Sequence, residues 1–387
     1  MHVPERCGGG GGRHSSSLDS TTDIALGAAV GRPGPACHDG QVLAYPDYLR
    51  LLPKTELHCH FVSTLSAARL ISLADRYGVE LPTTDPDELF DYSDLADFLV
   101  AFRAATDVLR SPDDLATTAY DGVRAAVIAG NLRYREYGVN PQYFATRGIG
   151  YTELLDPVID GLRAAERDLG VGFRIVVAIN RRESARSAVE LVEQMVRHPY
   201  AEVVALGQDD LTPENTEDPG RFAEAYALAK RHGFKTTAHA GETATASAED
   251  VRIAVDVLGV DRIDHGYRVL DDAELTARLR DRHLPFATTP LSTRVLSKWE
   301  LDADHRIAHM IRAGLNVSVS TDDGVFFRTD IGREYSEGLL DFGIDAAGAQ
   351  AIALAGIDGA FCDDDEKARL RARFAAEFLA LDALLEH

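Results

Sequence analysis

From about residue 130 the apolar positions of the chain change spacing at regular intervals. Short apolar runs at 132–138, 173–180, 202–207, 234–239, 262–265, 285–289 and 316–321 read as strands. Between most of them, residues 150–169, 183–197, 220–232, 246–259, 271–282 and 302–313 read as helices. An earlier run ending at His60 reads as one more strand, with Pro53 at its entrance, where a missing N–H is tolerated. Residues 66 to about 130 read as helical, with Leu89, Leu95, Phe98, Leu99 and Phe102 at helical spacing and charges between them. These are expected to form a core stripe, and Phe98 and Phe102 to roof a pocket as well. From Gly338 onward the chain reads as helices packed through Leu379, Leu381, Leu384 and Leu385.

About eight strands alternating with helices predict a parallel sheet, and eight such units predict a closed barrel. The expected fold is an α/β, (β/α)8 TIM-type barrel with extra helices inserted after strand 1 and a helical C-terminal tail. Residues 44–387 are expected to form this single domain. Residues 1–43 differ in kind: a glycine run over 8–12, three serines at 15–17 and the stretch Gly31-Arg32-Pro33-Gly34-Pro35. Such a composition buries too little to offset chain entropy, so a disordered leader is expected there, with His14 and His38 inert.

Composition narrows the function classes. The 387 residues are 45% hydrophobic and 26% charged, which is ordinary for a globular chain. Asp plus Glu number 62 against 40 Lys plus Arg, giving a formal net charge of -22 without a basic stripe. Such a field repels phosphate backbones, so no nucleic-acid partner is expected. No apolar run approaches the roughly 18 residues needed to span a bilayer, so no membrane partner is expected either. The four cysteines, Cys7, Cys37, Cys59 and Cys362, are scattered, with no CxxC pair, which fits a cytoplasmic protein. Cys59 is expected as buried packing. The charge leaves monomer and oligomer both open.

Candidate chemistry gathers at the ends of the predicted strands, where barrels of this type place it. His58 and His60, two apart in a strand, point to one side. They suit a metal ion, or pair as hydrogen-bonded strand histidines. His239 ends another strand, and Glu242 follows it past a glycine, placed to reach over a metal without ligating it. His265 ends a third strand. Asp322 and Asp323 end the last, and could equally be a solvated turn. Three neutral imidazoles and one carboxylate suit Zn²⁺, leaving a place for water. His305 and His309, four apart on a predicted helix, lack the glutamate of a zinc-protease motif, because Arg306 stands there. Asp209-Asp210 also ends a strand and either lines the pocket or caps the following loop.

These stretches resemble the adenosine/adenine deaminase branch of the metal-dependent amidohydrolases, from about Leu51 to the end of the chain. The resemblance rests on Pro53-Lys54-Thr55-Glu56-Leu57-His58-Cys59-His60, Tyr134-Arg135-Glu136, His239-Ala240-Gly241-Glu242, Ile263-Asp264-His265-Gly266, Thr289-Pro290-Leu291-Ser292 and Ser320-Thr321-Asp322-Asp323. Gly207-Gln208-Asp209 and Glu217-Asp218-Pro219-Gly220-Arg221-Phe222 are closer to the adenine than to the adenosine subgroup. The resemblance implies one Zn²⁺ per chain, held by His58, His60, His239 and Asp322. It implies Glu242 as the proton shuttle to a ring nitrogen, His265 as the group orienting the attacking hydroxide, and Asp323 as a hydrogen-bond partner of the ring. An aromatic C–NH₂ carbon is a poor electrophile until its ring is protonated, which agrees with a free general acid at Glu242.

The chain also departs from that pattern. Val62 and Ser63 stand where the family has an acidic residue and a glycine. Asp210 or a close neighbour stands where the adenosine subgroup has a glycine against the purine. Thr293 replaces an asparagine, and Gly324 a proline. Val62, Ser63, Asp209, Asp210, Asp323, Phe98 and Phe102 form the expected substrate shell. The implied substrate is an amino-purine or related heterocycle other than plain adenosine. Two alternatives stand beside deamination: hydrolysis of a cyclic amide or ester, and a non-catalytic ligand-binding barrel.

Overall fold

The structure, a computed structural model, describes residues 42–92 and 95–386. Its centre is one sheet of eight strands in the order of the chain: β1 Lys54–His60, β2 Leu132–Val139, β3 Gly172–Asn180, β4 Val203–Asp209, β5 Lys235–Ala240, β6 Arg262–His265, β7 Pro285–Thr288 and β8 Asn316–Val319. Every neighbouring pair is parallel. Both faces are buried along most of β2–β4, as expected for a parallel sheet covered by helices. Helices connect successive strands, so the expected (β/α)8 barrel is the observed fold.

The ring closes through the residues singled out for chemistry. His60 N donates to Asp322 O at 3.1 Å, and Asp322 N donates to His58 O at 3.0 Å. Ser320 Oγ accepts from Leu57 N at 3.1 Å and from His58 N at 3.2 Å. Joining the first strand to the segment after the last is therefore the same event as bringing Asp322 to the two histidines.

The wall of the barrel carries a buried charged network. Arg262 donates to Glu136 at 2.6 Å and to the carbonyls of Leu57 and Gly359 at 3.0 and 3.1 Å. Arg135 pairs with Glu56, whose other oxygen accepts from Thr321 Oγ1 at 2.5 Å. The Tyr134-Arg135-Glu136 motif is thus a tie between strands. Each of these charges is matched by an opposite charge or by hydrogen bonds, which is the condition for burying it.

The insertion after β1 is less continuous than its periodicity predicts. Helices occupy Ala67–Tyr77, Leu95–Val108 and Pro112–Gly130, and the segment around Leu89 is a turn. Gly78, left-handed at φ 64°, ends the first helix, and Pro82 and Pro86 keep the chain from resuming it. The third helix opens on a capping box between Ser111 and Asp114. In the tail, helices Ala346–Gly359 and Asp364–Asp382 are present, and Leu381 and Leu385 pack on the core. Leu379 and Leu384 do not: Leu379 is exposed because the helix face that carries Leu370, Phe374 and Phe378 is the one turned inward, and Leu384 is exposed in the turn that follows the helix. The helix expected over 302–313 starts only at Arg306. Residues 1–41 of the expected leader lie outside the described residues. Leu43 pairs with the chain end through Leu384 O and Glu386 N.

Candidate metal centre and active site

The side chains at the strand ends meet over the mouth of the barrel. His58 and His60 leave β1 on one side, as the two-residue period requires. His239 comes from β5, His265 ends β6, and Asp322 lies just beyond β8. Asp322 and His265 both adopt left-handed backbone, at φ 64° and 69°, which non-glycine residues seldom hold without a structural reason. At Asp322 the reason is visible in the closure bonds to β1.

His58 Nε2 and His60 Nε2 each lie 3.2 Å from Asp322 Oδ1. His60 Nε2 lies 3.3 Å from His239 Nε2. One ligand atom each from His58, His239, His265 and Asp322 fall within 4.8 Å of one another, as do those of His60, Asp322 and Asp323. Both ring nitrogens of His58, Nε2 of His265 and Oδ1 of Asp323 are buried without a hydrogen-bond partner. Buried polar atoms are normally satisfied, so the unpartnered Nε2 of His58, beside Asp322 Oδ1, fits a donor to a bound cation. Asp322 Oδ2 accepts from Ser292 Oγ at 2.7 Å, which leaves Oδ1 for the cluster. Asp209 and Asp264 stand behind two of the rings, 3.6 Å from His60 Nδ1 and 3.7 Å from His239 Nδ1.

The electrostatics divide the four rings: burial opposes a charge on His58 and His60, but Asp322 raises His58 above the usual histidine range, and Asp323 with Asp322 raises His60 to about 10. Burial, with His58 and the other imidazoles, pushes His239 and His265 well below the usual histidine range and keeps them neutral. Burial works against ionisation of Asp322, but His58 and His60 outweigh it and hold the carboxylate charged. Burial first, then Asp322 and Glu217, raise Glu242 well above the ordinary carboxylate range. Its Oε2 lies 3.4 Å from His265 Nε2. His265 Nδ1 is held by Tyr267 Oη at 3.1 Å, and Tyr267 Oη in turn accepts from Thr289 N at 3.2 Å.

The expected substrate shell divides. Val62 and Phe102 line a cavity beside His60 together with Asn140, Tyr143, Phe144 and Asp209. Ser63 is buried next to Val62, its hydroxyl donating to His60 O at 2.9 Å. Phe98 stacks on Phe327 at 5.2 Å and meets Phe102 at 5.9 Å, backing the cavity wall. Asp209 Oδ1 accepts from Asn140 Nδ2 at 2.8 Å, and burial raises its carboxyl to about 6. Asp210 is engaged by protein groups: Tyr143 Oη donates to it at 2.8 Å and Arg182 lies 3.9 Å away.

Several residues in the site carry no sequence signal of their own. Asn140 and Tyr143 follow β2 and are drawn in only because that strand lies beside β1. Ser292 stands within the Thr289-Pro290-Leu291-Ser292 stretch, but its contact with Asp322 is tertiary. Arg181, at the end of β3, is almost fully buried and ties Asp210 O at 3.0 Å to the carbonyl of His239.

Comparison with known proteins gives the family of the chain. The adenosine deaminase family model matches residues 53–377. An adenine deaminase of Streptomyces coelicolor is 33% identical over 335 residues, spanning 86% of this chain and 96% of that protein. The crystal structure of an adenine deaminase from Arthrobacter aurescens superposes with a TM-score of 0.78 at 30% identity, covering 84% of this chain and 98% of that one. A zinc-bound amidohydrolase from Burkholderia ambifaria gives 0.79 at 34% identity, covering 88% and 94%. The chain belongs to the adenosine deaminase family and is a hydrolytic deaminase acting on C–N bonds.

Proposed function

We propose that the chain removes the exocyclic amino group of adenine or a substituted adenine by hydrolysis, using one zinc ion held by His58, His60, His239 and Asp322. The observation that carries this reading is the convergence beside Glu242 of the buried His58, His239 and Asp322 with the half-buried His60, whose Nε2 lies 3.2 Å from Asp322 Oδ1 and 3.3 Å from His239 Nε2. Three imidazoles and one carboxylate are a zinc-type donor set, and the relatives named as adenine deaminases span nearly the whole barrel. When bound there, zinc supplies Lewis acidity, lowering the pKa of water toward roughly 7.

The chain's own residues do the rest. Glu242, kept protonated by burial, gives its proton to the ring nitrogen beside the amine-bearing carbon, which makes that carbon electrophilic. His265, anchored through Nδ1 to Tyr267, presents Nε2 toward Glu242 and orients the attacking water. The unpartnered Oδ1 of Asp323 accepts an N–H from the ring. Val62, Phe102 and Tyr143 form an apolar wall beside His60 that takes a flat base and offers no carboxylate at Val62 for a sugar hydroxyl. Water adds at the carbon and ammonia leaves.

The test is release of ammonia by zinc-loaded protein from adenine, adenosine, 2′-deoxyadenosine, AMP, cytosine, guanine and aminopterins, and of the corresponding amine from N6-substituted adenines, with Glu242→Gln beside it. Turnover of an adenine-class base, lost in the variant while zinc is retained, is expected. Adenosine as the best substrate would refute the substrate assignment. Silence across the panel with zinc bound would favour hydrolysis of a cyclic amide or ester.

A further inference from the structure

Glu217 lies outside the donor cluster, and the proposed reaction gives it no task. Its carboxylate is nevertheless only 2% exposed and faces the backbone of the turn that carries Glu242. Oε2 accepts from Gly241 N at 2.6 Å. Oε1 accepts from Glu242 N and Thr243 N, both at 2.9 Å, and from Thr243 Oγ1 at 3.2 Å. Successive amides converging in this way form a nest for an anion, and here a side chain of the loop after β4 fills it.

The carbonyl side of the same turn is also held. Arg268 N donates to Gly241 O at 3.1 Å, and the Arg268 guanidinium to Thr243 O at 3.3 and 3.4 Å. Gly241 has φ 72°, and a Cβ there would come within 2.6 Å of Val251, so the turn needs glycine at this position. The loop that delivers Glu217 is braced in turn by bonds between Thr212 and Thr216.

We infer that Glu217 is the positioning residue for Glu242, clamping the turn 241–243 so that the Glu242 carboxylate faces His265. The inference rests on the reading of Glu242 as the proton carrier. The clamp needs a carboxylate because two oxygens with about four lone-pair sites serve three amides and a hydroxyl. A glutamine keeps one acceptor oxygen and turns an NH₂ against an amide N–H. Next to burial and Asp322, the Glu217 charge also helps keep Glu242 protonated.

The test compares wild type, Glu217→Gln, Glu242→Gln and the double variant, each zinc-loaded, with Glu217→Asp as a conservative control. In Glu217→Gln, zinc content is expected unchanged, KM within about threefold and kcat lower by about 10- to 100-fold. Glu217→Asp keeps the charge and is expected to fall between this and wild type. Adding Glu217→Gln to Glu242→Gln costs nothing further if Glu217 acts through Glu242. Amide exchange over 241–243 rises about tenfold or more, while that of β5 stays protected. Wild-type kcat in Glu217→Gln, additive losses in the double variant or unchanged exchange would overturn the inference. A fully active Glu242→Gln would overturn the proton-carrier reading instead, and the exchange rates would still judge the clamp.

Discussion

Ser292 shows how much of this site is decided one hydrogen bond at a time. Its hydroxyl occupies one oxygen of Asp322, in a place closed to water, and so chooses which oxygen faces the histidines. Partners of this kind, one bond removed from a metal, commonly govern about 10–100-fold in affinity. Ser292→Ala is therefore expected to weaken zinc by that order while leaving the fold intact, measured by competition with a chelator of known affinity. The sequence presents Ser292 only as part of Thr289-Pro290-Leu291-Ser292. Which carboxylate it meets depends on β7 and β8 being neighbours, with Ala287 level with Ser318. His58 and His60 are the opposite case. Their shared face follows from the strand period alone.

At the scale of elements, the histidine pair His305 and His309 separates pattern from role. His305 is the N-cap of helix Arg306–Arg312: its Nδ1 accepts from Ile307 N at 3.1 Å. Its Nε2 lies 2.8 Å from Thr293 Oγ1, which donates onward to Pro290 O at 2.6 Å. This arrangement places the ring proton on Nε2 and requires a neutral imidazole. Burial lowers His305 to about 4 from the usual 6.5, with His309 adding to it and Asp302 opposing. In the window between those values the unfolded chain binds a proton that the folded one refuses. Stability is thus fully present above pH 6.5 and lost as pH falls toward 4, by up to roughly 3 kcal/mol. Unfolding free energies in denaturant at a series of pH values should show this slope, and His305→Gln should flatten it. Helix packing gives a second expectation. Gly161, in helix Tyr151–Leu169, lets the backbone of Ala116 approach so closely that a Cβ would meet Ala116 O at 2.2 Å. Gly161→Ala gains up to about 1 kcal/mol of helix propensity and loses about 1–3 kcal/mol to overpacking. A lower melting temperature at fixed zinc is the expected result.

The whole molecule couples closure of the barrel to assembly of the site. His58, His60 and Asp322 are joined by the backbone bonds that seal β1 to the end of the sheet. Metal binding at these side chains should therefore stabilise the entire barrel. A ligand that binds only the folded state adds about 4 kcal/mol at a thousand times its dissociation constant. Removing the metal by dialysis against a chelator is expected to abolish turnover and lower the melting temperature. Added zinc should restore both in a concentration-dependent way, and an unchanged melting temperature would contradict the coupling. Among the described residues no helix is long and apolar enough to cross a membrane. The net charge of -22 disfavours polyanionic partners without restricting a small neutral base.

The sequence alone determined the alternation of strands and helices, and it pointed to the strand ends, with His58, His60, His239, His265, Glu242, Asp322 and Asp323, as the candidate place of chemistry. These rest on short-range periodicity and on motifs whose spacing survives in one dimension. It overextended the helix after β1, where Gly78 and two prolines break the run. It also placed Leu379 and Leu384 inside: spacing along a helix does not say which face meets the core, and Leu384 lies in the turn beyond the helix end. Only the tertiary structure decided that Ser292 orients Asp322, that Glu217 grips the turn of Glu242, and that Asn140 and Tyr143 wall the cavity beside His60. Those contacts join residues distant in sequence, and their partners are fixed by the order in which a parallel sheet closes on itself.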